Sequence, residues 1–348
     1  MLDFIHATKI HLGSISMGVF CNVTAMDLLQ FTEKGIYCPP ADVFLDPSRK
    51  VNRALISHAH SDHARGGSQA YLAHHDSAEV LRLRLGKNLP LETIRYGEPI
   101  MINGVKFSFH PAGHTIGSAQ IRVEYKGEVW VYSGDYKLEN DGFSQPFEPV
   151  KCDVFITEST FGLPVYRWKP QALIFDEIHA WWKSNAAKGI CSVIHGYSLG
   201  KSQRLLFHLD QSIGPVYVHD AIEKTNEVIR KSGFELPNAR LLNADSSPEQ
   251  LSRALVITPF IAPDSPMMQL LGSYSLGIAS GWMGIGGAKR MRAADRGFVL
   301  SDHADWPSLN IAVKESGASR IIVNHGFTEA YAQWLSSIGY QAESARFV

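Results

Sequence analysis

Apolar and polar positions alternate in short runs through the first part of the chain, the pattern of half-buried strands. Asp42-Val43-Phe44-Leu45-Asp46 reads as one such strand, stopped by Pro47, which has no N–H for a ladder. Arg53-Ala54-Leu55-Ile56-Ser57 is a second. After a helical stretch over Ser77–Leu85, the segments Val105–His110, Ala119–Tyr125 and Glu128–Ser133 alternate well, and Lys126-Gly127 forms the turn of a hairpin. Asp153–Thr157 is a further apolar strand.

From about Lys169 the rhythm changes to alternating helices and strands. Ala172–Ser184, Lys201–Leu209 and Ile222–Lys231 read as helices, and Cys191–Ile194, Val216–His219 and Leu255–Thr258 as strands, which predicts an α/β unit. The chain closes with strand Gly297–Leu300, helix Pro307–Glu315, strand Arg320–Val323 and helix Glu329–Ser336. On this pattern residues 166–294 are an insertion that splits a host domain into 26–165 and 295–348.

Composition narrows the class. The chain has 348 residues, 45% hydrophobic and 19% charged, enough to bury a substantial core. No apolar run reaches membrane-spanning length. Cys21, Cys38, Cys152 and Cys191 lie far apart without a Cys-x-x-Cys pair, so they read as reduced thiols of a cytoplasmic protein. The formal net charge of -1 gives no global attraction to a polyanion, so binding to nucleic acid would need a local basic groove. Residues 1–25 are set apart as an N-terminal extension whose status the sequence leaves open. Met17–Cys21 is mildly apolar, but a secretory signal would put basic residues first and the chain opens Met1-Leu2-Asp3; a second methionine, Met26, follows.

Histidine carries the chemistry. There are 15, and the densest group is Ser57-His58-Ala59-His60-Ser61-Asp62-His63. Strand periodicity sends His58 and His60 to one face, and a turn after them lets Asp62 and His63 project toward the same point. Imidazole and carboxylate together suit zinc, whereas a buried cluster without a cation would be costly. The bland alternative is a polar turn with surface histidines. His114 and Asp135 each follow a glycine near a strand end, and His325 follows strand Arg320–Val323. Taken alone, each is more often structural than a ligand. His74, His75, His179, His208 and His219 fit no ligand pattern, and His110 and His195 read as structural.

Asp46, the cluster His58 to His63, His114 and Asp135 resemble, in order, the motifs of the metallo-β-lactamase superfamily. Glu158 in Thr157-Glu158-Ser159-Thr160, His303 in Ser301-Asp302-His303-Ala304-Asp305 and His325 in Asn324-His325-Gly326 resemble the three extra motifs of its β-CASP nucleases. Among these, the overall texture is most like the bacterial ligase-associated DNA exonucleases. The resemblance implies an αββα sandwich with an α/β β-CASP cap as the insertion, and two Zn2+ ions. It implies His58, His60 and His114 on one ion, Asp62, His63 and His325 on the other, and Asp135 bridging them. Asp46 would orient a ligand imidazole, and His303, held by Glu158, would be a general acid, with Asp62 counted in the catalytic set. The implied function is a zinc-dependent phosphodiesterase of DNA repair, acting as a DNA exonuclease, with a DNA ligase and a helicase as functional associates and no membrane partner.

Two features suggest strand contacts. Gly196–Lys201 bounds a helix N-terminus, so Ser198, Lys201 and Arg204 are candidates for phosphate, against a plain helix cap. Lys289, Arg290, Arg292 and Arg296 form a basic run, against a solvated face. Tyr274 and Trp282 are either base-stacking residues or core. Asp305 before Trp306-Pro307 is a helix N-cap. The competing functions are a β-CASP ribonuclease, a small-molecule metallohydrolase and a scaffold without metal.

Overall fold

A computed structural model describes residues 27–262, 264–285 and 294–348. The extension 1–25, with His6 and His11, and the basic residues Lys289, Arg290 and Arg292 lie outside the described residues.

The predicted strands form with small changes of boundary: Val43–Leu45, Arg53–Ile56, Val105–Pro111, Ala119–Tyr125, Glu128–Tyr132 and Val154–Ser159. Lys126 and Gly127 both take positive φ (51° and 86°), the two-residue turn that matches strand twist. Strands Gly35–Cys38, Ala70–His74 and Pro99–Ile102 have no counterpart in the alternation pattern. Leu72 and Ala73 are buried in succession, so that run shows no period of two.

Two sheets form the body. The first runs from Gln30–Thr32 to Leu91–Ile94 in sequence order. The second places Gln341–Ser344 and Arg320–Gly326 beside Val154–Ser159, then continues through the hairpin strands to Pro99–Ile102. One buried cluster takes Ile36, Leu45, Leu55 and Leu72 from the first sheet and Phe107, Ile121, Trp130 and Ile156 from the second, so the sheets face each other. On the outer side of the first sheet, Ala54, Ile56 and Tyr71 pack on Val80 and Leu81 of helix Ala78–Leu85. On the outer side of the second, Val131, Phe155 and Ile321 pack on Leu309 and Val313 of helix Trp306–Ser316 and on Tyr331 and Leu335 of helix Thr328–Ser337.

A third sheet is all parallel, ordered Arg240–Leu241, Val216–Val218, Leu255–Thr258, Cys191–His195, Tyr274–Ala279, Arg296–Phe298. It lies between strands that pair with each other: Val154–Ser159 before it and Arg320–Gly326 after it meet in register, Val154 opposite Arg320. The pattern places Arg296–Phe298 in the returning host segment from 295, yet it pairs with Gly277–Ala279 of the third sheet. Its hydrogen-bonding partner is remote in sequence, so periodicity could locate the strand but not its sheet. Among the described residues, no helix is long and apolar enough to cross a membrane.

Candidate metal centre

The site forms where strands of all three sheets end. Arg53–Ile56 runs into His58 and His60, Val105–Pro111 leads to His114, and Glu128–Tyr132 leads to Asp135. Val154–Ser159 carries Glu158 past a bulge between Thr157 and Glu158, and the segment after Arg296–Phe298 brings His303. Two glycines let these turns close. Gly113 (φ +74°) has no room for a Cβ, which would lie 2.1 Å from Lys137 O, and at Gly134 (φ +56°) a Cβ would meet Ser57 at 2.8 Å.

Each inner imidazole is oriented by a partner on its far nitrogen. His58 Nδ1 donates to Ser57 Oγ (3.0 Å), whose own proton goes to Asp46. His60 Nε2 donates to Leu199 O (3.1 Å), His114 Nδ1 to Asp302 O (2.8 Å) and His63 Nδ1 to Asp46 Oδ2 (2.7 Å). With these tautomers, the lone pairs of His58 Nε2, His60 Nδ1 and His114 Nε2 converge. His60 Nδ1 lies 3.1 Å from His58 Nε2 and 3.0 Å from His114 Nε2. Asp135 Oδ2 completes the group at 3.6 Å from His58 Nε2 and 3.8 Å from His114 Nε2. Tetrahedral zinc with bonds near 2.0–2.1 Å sets its donors about 3.3 Å apart, which these separations bracket.

Electrostatics agree. Burial, with the neighbouring imidazoles, lowers His58 well below its ordinary value and His114 to about 3, and burial lowers His60. These rings are neutral at neutral pH, the state that ligates. Three facing lone pairs without a proton between them, and the buried Asp135 Oδ1 without a hydrogen-bond partner, fit a cation.

A second position is partly assembled. His63 Nε2 lies 3.4 Å from Asp135 Oδ2 and 3.9 Å from Asp62 Oδ2. Asp62 and His325 are both exposed. The His325 ring centroid is 6.5 Å from that of His63, against 4.8–4.9 Å among His58, His60 and His114. The inner donors are brought together; Asp62 and His325 stand at the rim.

Asp46 accepts from Ser57 N (2.7 Å), Ser57 Oγ, His63 Nδ1 and Tyr132 OH (3.0 Å), tying two ligand-bearing segments to the second sheet. Asp46→Asn should lower zinc affinity about 10–100-fold, as loss of outer partners of metal ligands typically does; competition with a chromophoric chelator reads this directly.

His303 Nδ1 lies 3.0 and 3.1 Å from the two Glu158 oxygens and 3.9 Å from Asp135 Oδ2. Glu158 also accepts from Tyr136 N (2.8 Å) and Thr160 Oγ1. Burial opposes a charged His303 ring, but Glu158 and Asp135 outweigh it and raise His303 to about 9. Engagement of Nδ1 leaves the Nε2 edge for the cavity that His303 lines. That cavity, about 360 Å3, is also lined by His60, Asp62, His114, Asp135, Tyr197 and Trp282. Trp282 packs on Phe161 with centroids 4.7 Å apart, and Tyr274 packs against the core of the insertion.

The phosphate candidates are placed differently from the expectation. Lys201 reaches the cavity wall, but its Nζ donates to Leu300 O (2.7 Å) and pairs with Asp302 Oδ1 (2.8 Å). Arg204, buried, donates to Ser301 O (2.6 Å) and to Gln171 Oε1, and pairs with Asp302 at 3.3 Å. Both cations are used inside the protein, anchoring the segment that carries His303. The sequence showed them as helix-start cations; it could not show that a carboxylate about a hundred residues later neutralises them. The helix start is capped too, Gly200 N donating to Gln203 Oε1 (2.8 Å), while Ser198 O accepts from Gln203. Asp302 itself was missed as a site residue, although it directly precedes His303. Asp302→Ala should cost about 3–5 kcal/mol, because it strands two buried charges; urea unfolding measures it. Two other histidines serve local structure: His219 Nδ1 caps helix Asp220–Lys231, and His195 Nδ1 bonds Thr258 Oγ1 (2.7 Å). Asp305 caps helix Trp306–Ser316 through Ser308 N (3.0 Å).

No family model matches the chain. A protein of Opitutus terrae named "Probable DNA ligase" is 31% identical over 311 residues, which is 88% of this chain and 30% of that protein. "Endoribonuclease YSH1" of Yarrowia lipolytica is 34% identical over 125 residues, 35% of this chain and 15% of its own length. "Cleavage and polyadenylation specificity factor subunit 3" of Dictyostelium discoideum is 34% identical over 163 residues, 43% of this chain and 20% of that protein. The chain thus spans between 15% and 30% of the length of these relatives. A solved protein of unknown function from Enterococcus faecalis V583 shares the fold, with a TM-score of 0.54 at 13% identity, covering 78% of this chain and 74% of the other. Together with the motif order and the strand-end histidine centre, these relatives show that the chain belongs to the β-CASP branch of the metallo-β-lactamase superfamily.

Proposed function

We propose that the chain is a zinc-dependent phosphodiesterase of nucleic acid, acting as a DNA exonuclease in repair in the cytoplasm. The observation that carries this reading is one cavity lined both by His60, His114 and Asp135 of the converging ligand set and by His303, which Glu158 holds. In it, the two facing body sheets with outer helices are the αββα sandwich and the third sheet is the cap. His58, His60, His114 and Asp135 would hold one ion. His63 and Asp135, with Asp62 and His325 brought in from the rim, would hold the second. When bound, zinc supplies Lewis acidity toward a phosphoryl oxygen and lowers the pKa of water to about 7.

The chain's own residues supply the rest. Asp135, facing both donor groups, sets their spacing. Asp46 fixes the His63 ring, and through Ser57 the His58 ring. When hydroxide, formed from water by loss of a proton to solvent, adds to phosphorus and the bond to the leaving oxygen breaks, His303 gives its Nε2 proton to that oxygen and is later reprotonated from solvent, while Glu158 holds Nδ1–H and stabilises the charged ring beforehand.

The preference for DNA rests on extent of similarity. The relative named for DNA joining matches 88% of this chain, whereas the endoribonuclease match covers 35%. The same match supports functional association with a DNA ligase, and with a helicase by family resemblance. The endoribonuclease relatives favour a second reading, cleavage of RNA. End-labelled single- and double-stranded DNA and a matched RNA, each incubated with the zinc-loaded protein, separate these readings. Stepwise shortening of DNA is expected. Internal fragments of RNA would support the second reading, and intact strands throughout would overturn both.

A further inference from the structure

The parallel sheet of the insertion presents its carboxyl edge to the cavity, and its chain path opens a crevice there. Strands Cys191–His195 and Leu255–Thr258 are neighbours, with His195 opposite Thr258. The helix after the first, Lys201–His208, packs Leu205 and Leu206 on the face that bears Ile194, Val218 and Ile257. The segment after the second packs Met268 and Leu271 on the opposite face, with Val193, Tyr217 and Val256. Adjacent strands whose exits part to opposite faces leave a cleft at their ends, the place where open parallel sheets take ligands.

Both sides of this cleft are aromatic. Tyr197 follows the first strand and Phe260 the second; they are 59% and 53% exposed, with ring centroids 5.9 Å apart at 65°. The Tyr197 backbone is held in place, and the Phe260 ring has a neighbour. Ser202 N (3.1 Å) and Ser202 Oγ (2.7 Å) donate to Tyr197 O, Gly196 N donates to Thr258 O (2.9 Å), and Phe260 packs on His195 at 5.6 Å. Tyr197 also lines the cavity that holds His60, His114 and His303. Two neighbouring rings open to solvent, one of them lining the cavity proposed to take a phosphodiester, suit a flat apolar group joined to that phosphate.

We infer that Tyr197 and Phe260 form a stacking site for an unpaired nucleobase of the strand that enters the metal cavity. The inference rests on the nucleic-acid reading above and deepens it. Every base has a π-face, so the site is sequence-tolerant, but a base inside a duplex spends its faces on its neighbours. The substrate class is therefore a single strand or an unpaired end.

The test uses the full chain, a short phosphorothioate oligothymidylate, the same strand with abasic sugars, and the matched duplex, with binding read by fluorescence anisotropy. The parent protein should prefer the base-bearing strand over the abasic one by about 5- to 150-fold, the range of base–aromatic stacking. Tyr197→Ala and Phe260→Ala should each shrink that preference, and Tyr197→Phe should retain it. Equal affinity of the parent for base-bearing and abasic strands, a preference unchanged in both alanine variants, or a duplex bound as tightly as the single strand would overturn the stacking site alone. A parent that binds none of the three probes would overturn the nucleic-acid reading, and the stacking site with it.

Discussion

Asp135→Ala should empty the metal centre and abolish hydrolysis. Among the described residues, Asp135 is the carboxylate of the inner donor group with His58, His60 and His114, and His63 Nε2 is 3.4 Å from its Oδ2. Burial opposes its charge, yet the charges of His63 and His303 hold it well below the usual carboxylate range. Its removal leaves one donor group as three neutral imidazoles and takes from the other the oxygen facing His63. The loss should exceed the about 10–100-fold effect of removing an outer partner of a ligand, since here a ligand itself is lost. Zinc content by elemental analysis and turnover of a labelled strand are the two readouts. Parental zinc stoichiometry in this variant would rule out the proposed ligand set.

His303→Ala should keep its zinc and lose about 10²–10⁴ of turnover on a nucleic-acid strand, the range for a positioned general acid. The loss should shrink on bis(p-nitrophenyl) phosphate, whose leaving group departs without a proton. Glu158→Gln should follow the same pattern, because it removes the charge that sustains the His303 proton. An equal loss on both substrates would remove the acid role. Loss of zinc would make His303 a ligand instead; its Nδ1 lies 3.9 Å from Asp135 Oδ2.

The local part of this protein was legible in its residues. Alternation placed the hairpin strands, and the spacing from His58 to His63 signalled a metal, because strand period and ligand chemistry act over a few neighbouring residues. The order of Asp46, His114, Asp135, Glu158, His303 and His325 carried the family. What stayed hidden depends on partners remote in sequence. The His114 ring is aimed by Asp302 O, 188 residues on, and the His60 ring by Leu199 O, 139 residues on.

The same distance in sequence explains the differences between expectation and structure. Lys201 and Arg204 looked like cations waiting for phosphate until Asp302 was found buried between them. Arg296–Phe298 reads as host by pattern, yet it pairs with Gly277–Ala279 of the third sheet. Tyr197 and Phe260 were unremarkable letters until two strand ends set them side by side. Periodicity and ligand type are properties of a segment, so the sequence alone determined the alternating strands and amphipathic helices and what metal chemistry is available. Charge neutralisation, ring orientation and exposure are properties of a folded neighbourhood, so only the tertiary structure decided which side chains remain free to act.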